Sequence, residues 1–185
     1  MDTGELIIRW TVRLAVICYA AVLLLALWRK RPPATTDLSR WIWTAGCLLF
    51  VGHVLSAFAF YHHWSHAHAF EDTREKTAAA IGVAFGWGIY VNHLFTLVWV
   101  GDVAWSWLAP ESYRRRSLAI VIGMHAFMLF IAVNGLMVFK DGAIRWISAA
   151  VLLLLVGVGI GTLTWRRGQR SSELANAMSL PQDPS

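Results

Sequence analysis

Charged residues are scarce in this sequence, and that scarcity limits the classes of protein to which the chain can belong. Asp, Glu, Lys and Arg make up 15% of the 185 residues, whereas a typical soluble domain carries about 25%. Hydrophobic residues reach 57%, and the mean hydropathy is +0.53. Such a composition excludes a disordered chain and is atypical of nucleic-acid-binding domains and soluble enzymes. It indicates an integral membrane protein.

Cysteine is also rare, and the familiar catalytic motifs are missing. The two cysteines, Cys18 and Cys47, are too few for a disulfide framework or a zinc finger, and their apolar surroundings predict small packing residues. The sequence contains no Walker loop, no dinucleotide-binding glycine pattern, no nucleophile elbow and no zinc-protease motif. It therefore predicts no catalytic residue and leaves the question of enzymatic activity open.

Long apolar stretches dominate what the sequence does contain. A membrane helix needs about 20 mainly apolar residues to cross a hydrocarbon layer about 30 Å thick. Five stretches meet this length, at about 6–28, 38–61, 78–108, 118–139 and 143–165. The predicted fold class is an all-α integral membrane protein, a single five-transmembrane-helix bundle over residues 1–168. The polar stretch 169–185 is predicted to be a disordered cytoplasmic tail.

Basic residues set the predicted orientation, because cytoplasmic loops of membrane proteins are enriched in Lys and Arg. With the N-terminus outside and the C-terminus cytoplasmic, ten of the sixteen basic residues fall on the inner side and six on the outer side. The inner ten are Arg29, Lys30, Arg31, Arg40, Arg114, Arg115, Arg116, Arg166, Arg167 and Arg170. The positive charge is therefore interpreted as a topology signal that can also contact anionic lipid, and no nucleic-acid partner is predicted.

Tryptophan positions agree with this orientation, since indole prefers the boundary between lipid and water. Nine of the eleven tryptophans fall near predicted helix ends, and Trp87 and Trp99 are the exceptions. The excess of Arg over Lys is typical of a GC-rich bacterial genome. The predicted location is thus the bacterial cytoplasmic (inner) membrane, with the lipid bilayer as a partner and other membrane subunits or a second copy of the chain as further partners.

Seven histidines are the most informative polar residues. His53, His93 and His125 each lie near the middle of a predicted span, where ionisable groups usually face the bundle interior. Neutral imidazole binds haem iron and transition metals. These three are therefore candidate ligands for haem b, another tetrapyrrole, copper or zinc. Alternatively, each ring forms a hydrogen bond to a neighbouring helix, or the three serve a proton relay.

A second group of histidines follows the second predicted span and comprises His62, His63, His66 and His68. His62 and His66 are four residues apart, a spacing that places two metal ligands on one helix face. Carboxylates follow a few residues later. The group predicts a zinc or copper site at the outer surface. The alternative interpretation is an amphipathic interfacial segment that binds no metal.

Asp102 is an acidic residue inside the third predicted span and is a functional candidate for that reason. Its predicted partner is Arg40 or one of the arginines at 114–116, and its predicted role is a salt bridge or proton transfer. Three functional hypotheses result from these residues. The first is a haem-, tetrapyrrole- or metal-binding membrane subunit. The others are a non-catalytic structural or assembly subunit and a small proton-coupled transporter that uses Asp102.

Overall fold

Helices are the only regular elements in the residues that the computed structural model describes, which are 3–29 and 34–138. The predicted all-α class is confirmed for these residues. The fifth predicted span, 143–165, and the predicted tail, 169–185, lie outside them. The elements are α1 (Thr3–Arg29), α2 (Asp37–Ser56), a π-helical turn (Ala57–Tyr61), α3 (His66–Ile81), α4 (Gly88–Leu108), α5 (Pro110–Arg114) and α6 (Leu118–Val138).

Two stretches are long and apolar enough to cross a membrane, Thr3–Trp28 and Asp37–Tyr61. They coincide with the first two predicted spans. Only 17% and 22% of their most apolar windows are buried, whereas a core helix of a soluble protein is mostly buried. Their exposed side chains include Ile17, Leu24 and Leu48. Both helices thus turn much of their apolar surface outward, as helices in contact with lipid do.

The third predicted span, 78–108, is wrong as a single helix. α3 ends at Ile81 because Gly82 adopts a left-handed conformation with φ of 75°, a common way for a helix to stop. α4 begins only at Gly88. Hydropathy failed to detect the break because residues 83–85 are apolar. The segment before α4 packs closely on α3, since a Cβ atom on Gly86 would lie 2.5 Å from Phe70 Cε1.

Two further helices of 21 residues each, α4 and α6, are not among these candidate spans. α4 carries the polar residues Asn92, His93 and Asp102, and the apolar stretch described within α6 is Leu118–Ala132. α6 otherwise begins where the fourth predicted span begins. The five-span bundle and its orientation therefore remain proposals.

Aromatic rings from three helices form the centre of the core. The rings of Trp43 and Trp99 lie 4.8 Å apart between centroids, and Tyr19 lies 5.6 Å from Trp43. All three side chains are buried. The helices approach closely at Gly46, where a Cβ atom would lie 2.9 Å from Cys18 Cβ and 3.0 Å from Trp99 Cζ2. Packing of this kind holds α1, α2 and α4 together, since small residues allow close helix contact in lipid.

Candidate functional site

Asp102 accepts hydrogen bonds from three side chains near the C-terminal end of α4. Trp43 Nε1 donates to Oδ2 at 2.9 Å, and the Tyr113 hydroxyl donates to the same oxygen at 2.8 Å. Arg116 donates to Oδ1 at 2.7 Å. The Arg116 and Asp102 side chains are 1% and 4% exposed. The carboxylate therefore links α2, α4, α5 and the segment after α5 in one buried network.

Electrostatic interactions keep the Tyr113 hydroxyl protonated in this network. Burial raises the pKa of Tyr113, and the Asp102 carboxylate raises it further, so the phenol keeps its proton and remains a donor. The Arg116 guanidinium carbon also lies 3.7 Å from the centre of the Tyr113 ring. Both oxygens of Asp102 are thus engaged by protein donors. The arrangement acts as a structural tie between helices.

One of the two predicted partners of Asp102 occupies the site. Arg116, in the 114–116 run, forms the ion pair, whereas Arg40 stacks over Trp107. Sequence reasoning missed Trp43 and Tyr113 as partners of this carboxylate. Trp43 lies 59 residues from Asp102, and no spacing rule connects them.

The three histidines that were predicted at mid-membrane do not form one site. Across residues 3–29 and 34–138, no hydrogen bond or ring contact joins any two of them, and each has its own partner. His53 Nδ1 lies 2.9 Å from the Ile8 carbonyl oxygen. His93 Nε2 lies 3.3 Å from His66 Nε2, and His125 Nδ1 lies 3.3 Å from the Tyr19 hydroxyl. The alternative interpretation, a hydrogen bond to a backbone carbonyl or a side chain, describes His53 and also fits the contact of His125 with Tyr19.

His93 lies near one end of its helix, so the prediction that it lies at the middle of a span is wrong. That prediction placed the midpoint of the third span at residue 93. α4 runs from residue 88 to residue 108, and the mean of these numbers is 98. His93 is therefore in the second turn of α4. The break at Gly82 accounts for the difference, because it removes residues 78–87 from the helix.

A change of chain direction rearranges the second histidine group. His63 and Trp64 adopt positive φ values of 49° and 59°, and a new helix begins at His66 with Ser65 as its N-cap. His62 and His66 consequently belong to different segments. The prediction that they share one helix face is wrong, because it assumed that α2 continues past residue 62.

Two imidazole pairs form at this end of the molecule instead. His62 Nδ1 lies 3.4 Å from His68 Nδ1, and His66 Nε2 lies 3.3 Å from His93 Nε2. Phe58, in the π-helical turn, lies between the pairs. Its ring centroid is 5.5 Å from that of His62, 6.2 Å from that of His66 and 5.8 Å from that of His93. The two pairs are therefore neighbours on one aromatic ring.

The nitrogen–nitrogen distance within each pair is compatible with a hydrogen bond between two neutral rings. It is also compatible with two ligands of one metal ion, because two nitrogens bound to zinc at about 2.0–2.1 Å with tetrahedral angles lie about 3.3–3.4 Å apart. The part of the chain that the structure describes holds no group of three or more His, Cys, Asp or Glu placed to share an ion. Each pair would thus supply two ligands and leave the other positions to water.

Two predicted ligand sets consequently do not assemble. The predicted cluster of four histidines does not include His63, because this residue is exposed and belongs to neither pair. A three-ligand centre of His53, His93 and His125 is not formed either, because the described residues contain no such group. Sequence reasoning identified residues of the pairs but assigned them the wrong partners.

The surroundings of His62 favour its neutral form. Burial lowers the pKa of His62 and His68 lowers it further, while Asp72 opposes the shift. Asp72 itself accepts hydrogen bonds from the Tyr61 hydroxyl at 3.0 Å and from Lys76 at 2.7 Å. Because a metal binds the neutral imidazole, the lowered pKa leaves His62 ready to act as a ligand at neutral pH.

Comparisons of the chain with family models, with curated proteins and with solved structures find no match. The candidate sites are those that the structure itself brings together, the Asp102 network and the two imidazole pairs.

Proposed function

We propose that this chain is a multi-pass membrane protein that binds a divalent transition metal ion, zinc or copper, at the outer ends of its helices. The observation that carries the proposal is the pair of nitrogen–nitrogen separations, 3.4 Å for His62 with His68 and 3.3 Å for His66 with His93. Both match the edge of a tetrahedral nitrogen site, at about 3.3–3.4 Å.

The proposed setting is a five-helix bundle in the bacterial cytoplasmic membrane, with the N-terminus outside. Large apolar side chains exposed on three helices, such as Leu24, Leu48 and Leu97, support a lipid-facing surface. The imidazole pairs and Asp102 lie toward opposite ends of α4. In this topology the pairs face the outer aqueous phase, from which a metal ion can reach them, and Asp102 lies at the inner interface beside the basic run.

Metal titration of the purified protein tests the proposal. The protein is stripped with a chelator and titrated with zinc and copper against a chromogenic competitor. Loss of one ligand in His66→Asn or His93→Asn is expected to weaken metal binding by about 10–100-fold or more, because substitution of residues that only hydrogen-bond to a ligand already has effects of that size. His66→Asn combined with His62→Asn should remove a ligand from each pair and abolish binding at both.

His63→Asn is the matched control. It removes an imidazole from the same segment but from neither pair, and Asn tolerates the left-handed conformation at this position. Its affinity should equal that of the wild type. Equal affinities in all variants, or a wild type that binds neither zinc nor copper in the titration, would contradict the proposal.

A haem or another tetrapyrrole bound through central histidines is the second candidate, and two nitrogens favour it. His53 Nδ1 donates to the Ile8 carbonyl, which leaves Nε2 as the nitrogen with a free lone pair, as in many metal-bound histidines. His125 Nε2 is buried without a hydrogen-bond partner. Haem supplies redox or ligand-binding chemistry when bound. It would give visible absorption that His53→Ala abolishes, and purified protein without such absorption rules this candidate out.

A further inference from the structure

Arg40 is a buried cation that no carboxylate within residues 3–29 and 34–138 neutralises. The residue is 8% exposed, and its Nε atom has no hydrogen-bond partner. The ion pairs found among the described residues engage other cations and leave Arg40 out. Buried charges are ordinarily paired, because taking an unpaired ion out of water is costly. Arg116, whose side chain is 1% exposed, is bonded to Asp102, whereas the described residues place no carboxylate on Arg40, which marks Arg40 as a cation with unused binding capacity.

Two tryptophans shape the surroundings of this guanidinium group. Its central carbon lies 5.0 Å from the centre of the Trp107 ring. Trp107 Nε1 donates to Thr44 Oγ1 at 2.9 Å, and Trp41 packs edge-on against Trp107 at 4.8 Å between centroids. The guanidinium carbon therefore lies over the face of the indole ring. This cation–π contact offsets part of the desolvation cost and leaves Nε without a hydrogen-bond partner.

The position of Arg40 identifies the region where a ligand would lie. Arg40 is in the first turn of α2, and Trp107 is in the last turn of α4. A capping box between Thr36 and Ser39 fixes the start of α2, with Ser39 Oγ accepting from the Thr36 backbone nitrogen at 3.1 Å. In the proposed topology, this end of the bundle lies at the inner interface, where indole rings collect and lipid phosphates are found.

We propose that Arg40, stacked on Trp107, binds a phosphate group at this end of the bundle, and that the phosphate belongs to the headgroup of an anionic lipid. The planar guanidinium can donate two parallel hydrogen bonds to phosphate oxygens, which an ammonium group cannot do. The positive end of α2 adds a favourable field for an anion. Free inorganic phosphate presents the same chemistry and is the other source to be tested. The proposal is independent of the imidazole pairs.

Retention of lipid by purified protein tests the proposal. The protein is reconstituted in phosphatidylcholine nanodiscs that contain a minor fraction of phosphatidylglycerol, re-extracted with neutral detergent, and examined by native mass spectrometry. The wild type is expected to retain about tenfold more phosphatidylglycerol than Arg40→Gln, the effect of losing charge-assisted hydrogen bonds. Arg40→Lys should fall between them. Arg114→Gln, at an exposed arginine that pairs with Glu111 at 3.2 Å, should behave as the wild type.

A second arm separates the two sources of phosphate. Protein in neutral detergent without anionic lipid is titrated with inorganic phosphate at constant ionic strength, and its melting temperature is recorded. Retention of phosphatidylglycerol that depends on Arg40, without a response to free phosphate, establishes the lipid as the occupant. A response to free phosphate that depends on Arg40, without lipid retention, supports the phosphate site and overturns the lipid assignment. Equal lipid retention by the wild type and Arg40→Gln, with no phosphate response, overturns the proposal.

Arg40→Lys keeps the test decisive if Arg40→Gln fails to fold. Lysine preserves the positive charge but not the planar stack or the paired donors. Lipid retention by Arg40→Lys equal to that of the wild type would overturn the guanidinium-specific contact. Reduced retention in a folded Arg40→Lys protein, shown by its gel-filtration profile, would support it.

Discussion

Arg116 and Asp102 form an ion pair of 2.7 Å from which water is almost entirely excluded. Trp43 and Tyr113 donate to the second carboxylate oxygen, at 2.9 and 2.8 Å. Four polar groups from separate parts of the chain thus satisfy one another in the bundle. The cost of breaking such a network exceeds the benefit of forming it, because each lost partner leaves a buried group without a hydrogen bond.

Replacing Asp102 with Asn should destabilise the protein severely. The change leaves the Arg116 guanidinium buried without a counter-charge, a loss of about 3–5 kcal/mol in unfolding free energy. The measurement is denaturant-induced unfolding in detergent. Glu111→Gln breaks the exposed pair with Arg114 and should change the free energy by less than about 1 kcal/mol. An Asp102→Asn protein as stable as Glu111→Gln would refute the structural role.

The Asp102→Asn variant also distinguishes a structural role of Asp102 from a role in proton transfer. A proton-coupled transporter that uses Asp102 would lose flux in Asp102→Asn while its unfolding midpoint stayed unchanged. A structural tie predicts that the midpoint falls. Flux measured in proteoliposomes beside the unfolding curve distinguishes the two outcomes.

Two glycines in α2 should respond in opposite directions to alanine. In Gly46→Ala, the new methyl group would lie 2.9 Å from Cys18 Cβ and 3.0 Å from Trp99 Cζ2, so the helices must separate, at a cost of about 1–3 kcal/mol. At Gly52 no atom lies within 4 Å, so Gly52→Ala should gain about 0.5–1 kcal/mol from helix propensity. Thermal unfolding of both variants checks the contrast. A destabilised Gly52→Ala or a neutral Gly46→Ala would show that the helix contact is placed wrongly.

Stability should fall on mild acidification, in part because of His62. Burial holds the pKa of His62 below its usual value, with His68 adding to the shift and Asp72 opposing it. As the pH falls below about 6.5, the unfolded chain takes up a proton that the folded site accepts less readily, so protonation lowers the free energy of the unfolded state relative to the folded state. Unfolding free energies at about pH 7.5 and about pH 5 should therefore differ.

Two variants isolate this contribution. His62→Gln should show a smaller difference between the two pH values than the wild type, since Gln does not titrate. His63→Asn removes an exposed imidazole that makes the smallest contribution to the lowered pKa of His62, so it should keep most of the wild-type difference. An unchanged pH dependence in His62→Gln would mean that His62 does not carry the effect.

Labelling from each side of the membrane tests the proposed topology. In a background with Cys18→Ser and Cys47→Ser, single cysteines are placed at the exposed positions Glu75, in α3, and Ser117, after α5. An impermeant maleimide applied to intact cells should label Glu75→Cys. It should label Ser117→Cys only after permeabilisation. Labelling of both from the same side would refute the proposed arrangement.

The sequence predicts the helical class and the course of the first two spans well, because apolar length is a property of each segment alone. It also contained a signal for the break in the third span, since Gly82 is a residue that commonly ends a helix. That signal was masked by apolar neighbours. The reversal at His63 and Trp64 had no such signal, because residues other than glycine rarely adopt positive φ.

Partner identity was harder to predict than the candidate residues. The predicted partner of Asp102 was Arg40 or an arginine at 114–116, and Arg116, 14 residues away, forms the contact. His66 and His93 are 27 residues apart and meet because the chain turns after Gly82, between α3 and α4. Spacing rules apply within one helix, so they cannot give the partners that chain reversals bring together.

His66 and His68 are two residues apart in the first turn of α3, so they point in directions about 200° apart around the helix axis. One reaches His93 and the other reaches His62. Fraying of that single turn would separate both contacts at once. Ions bound at the two places would accordingly be released in one cooperative event, with a rate set by the opening of one helix end.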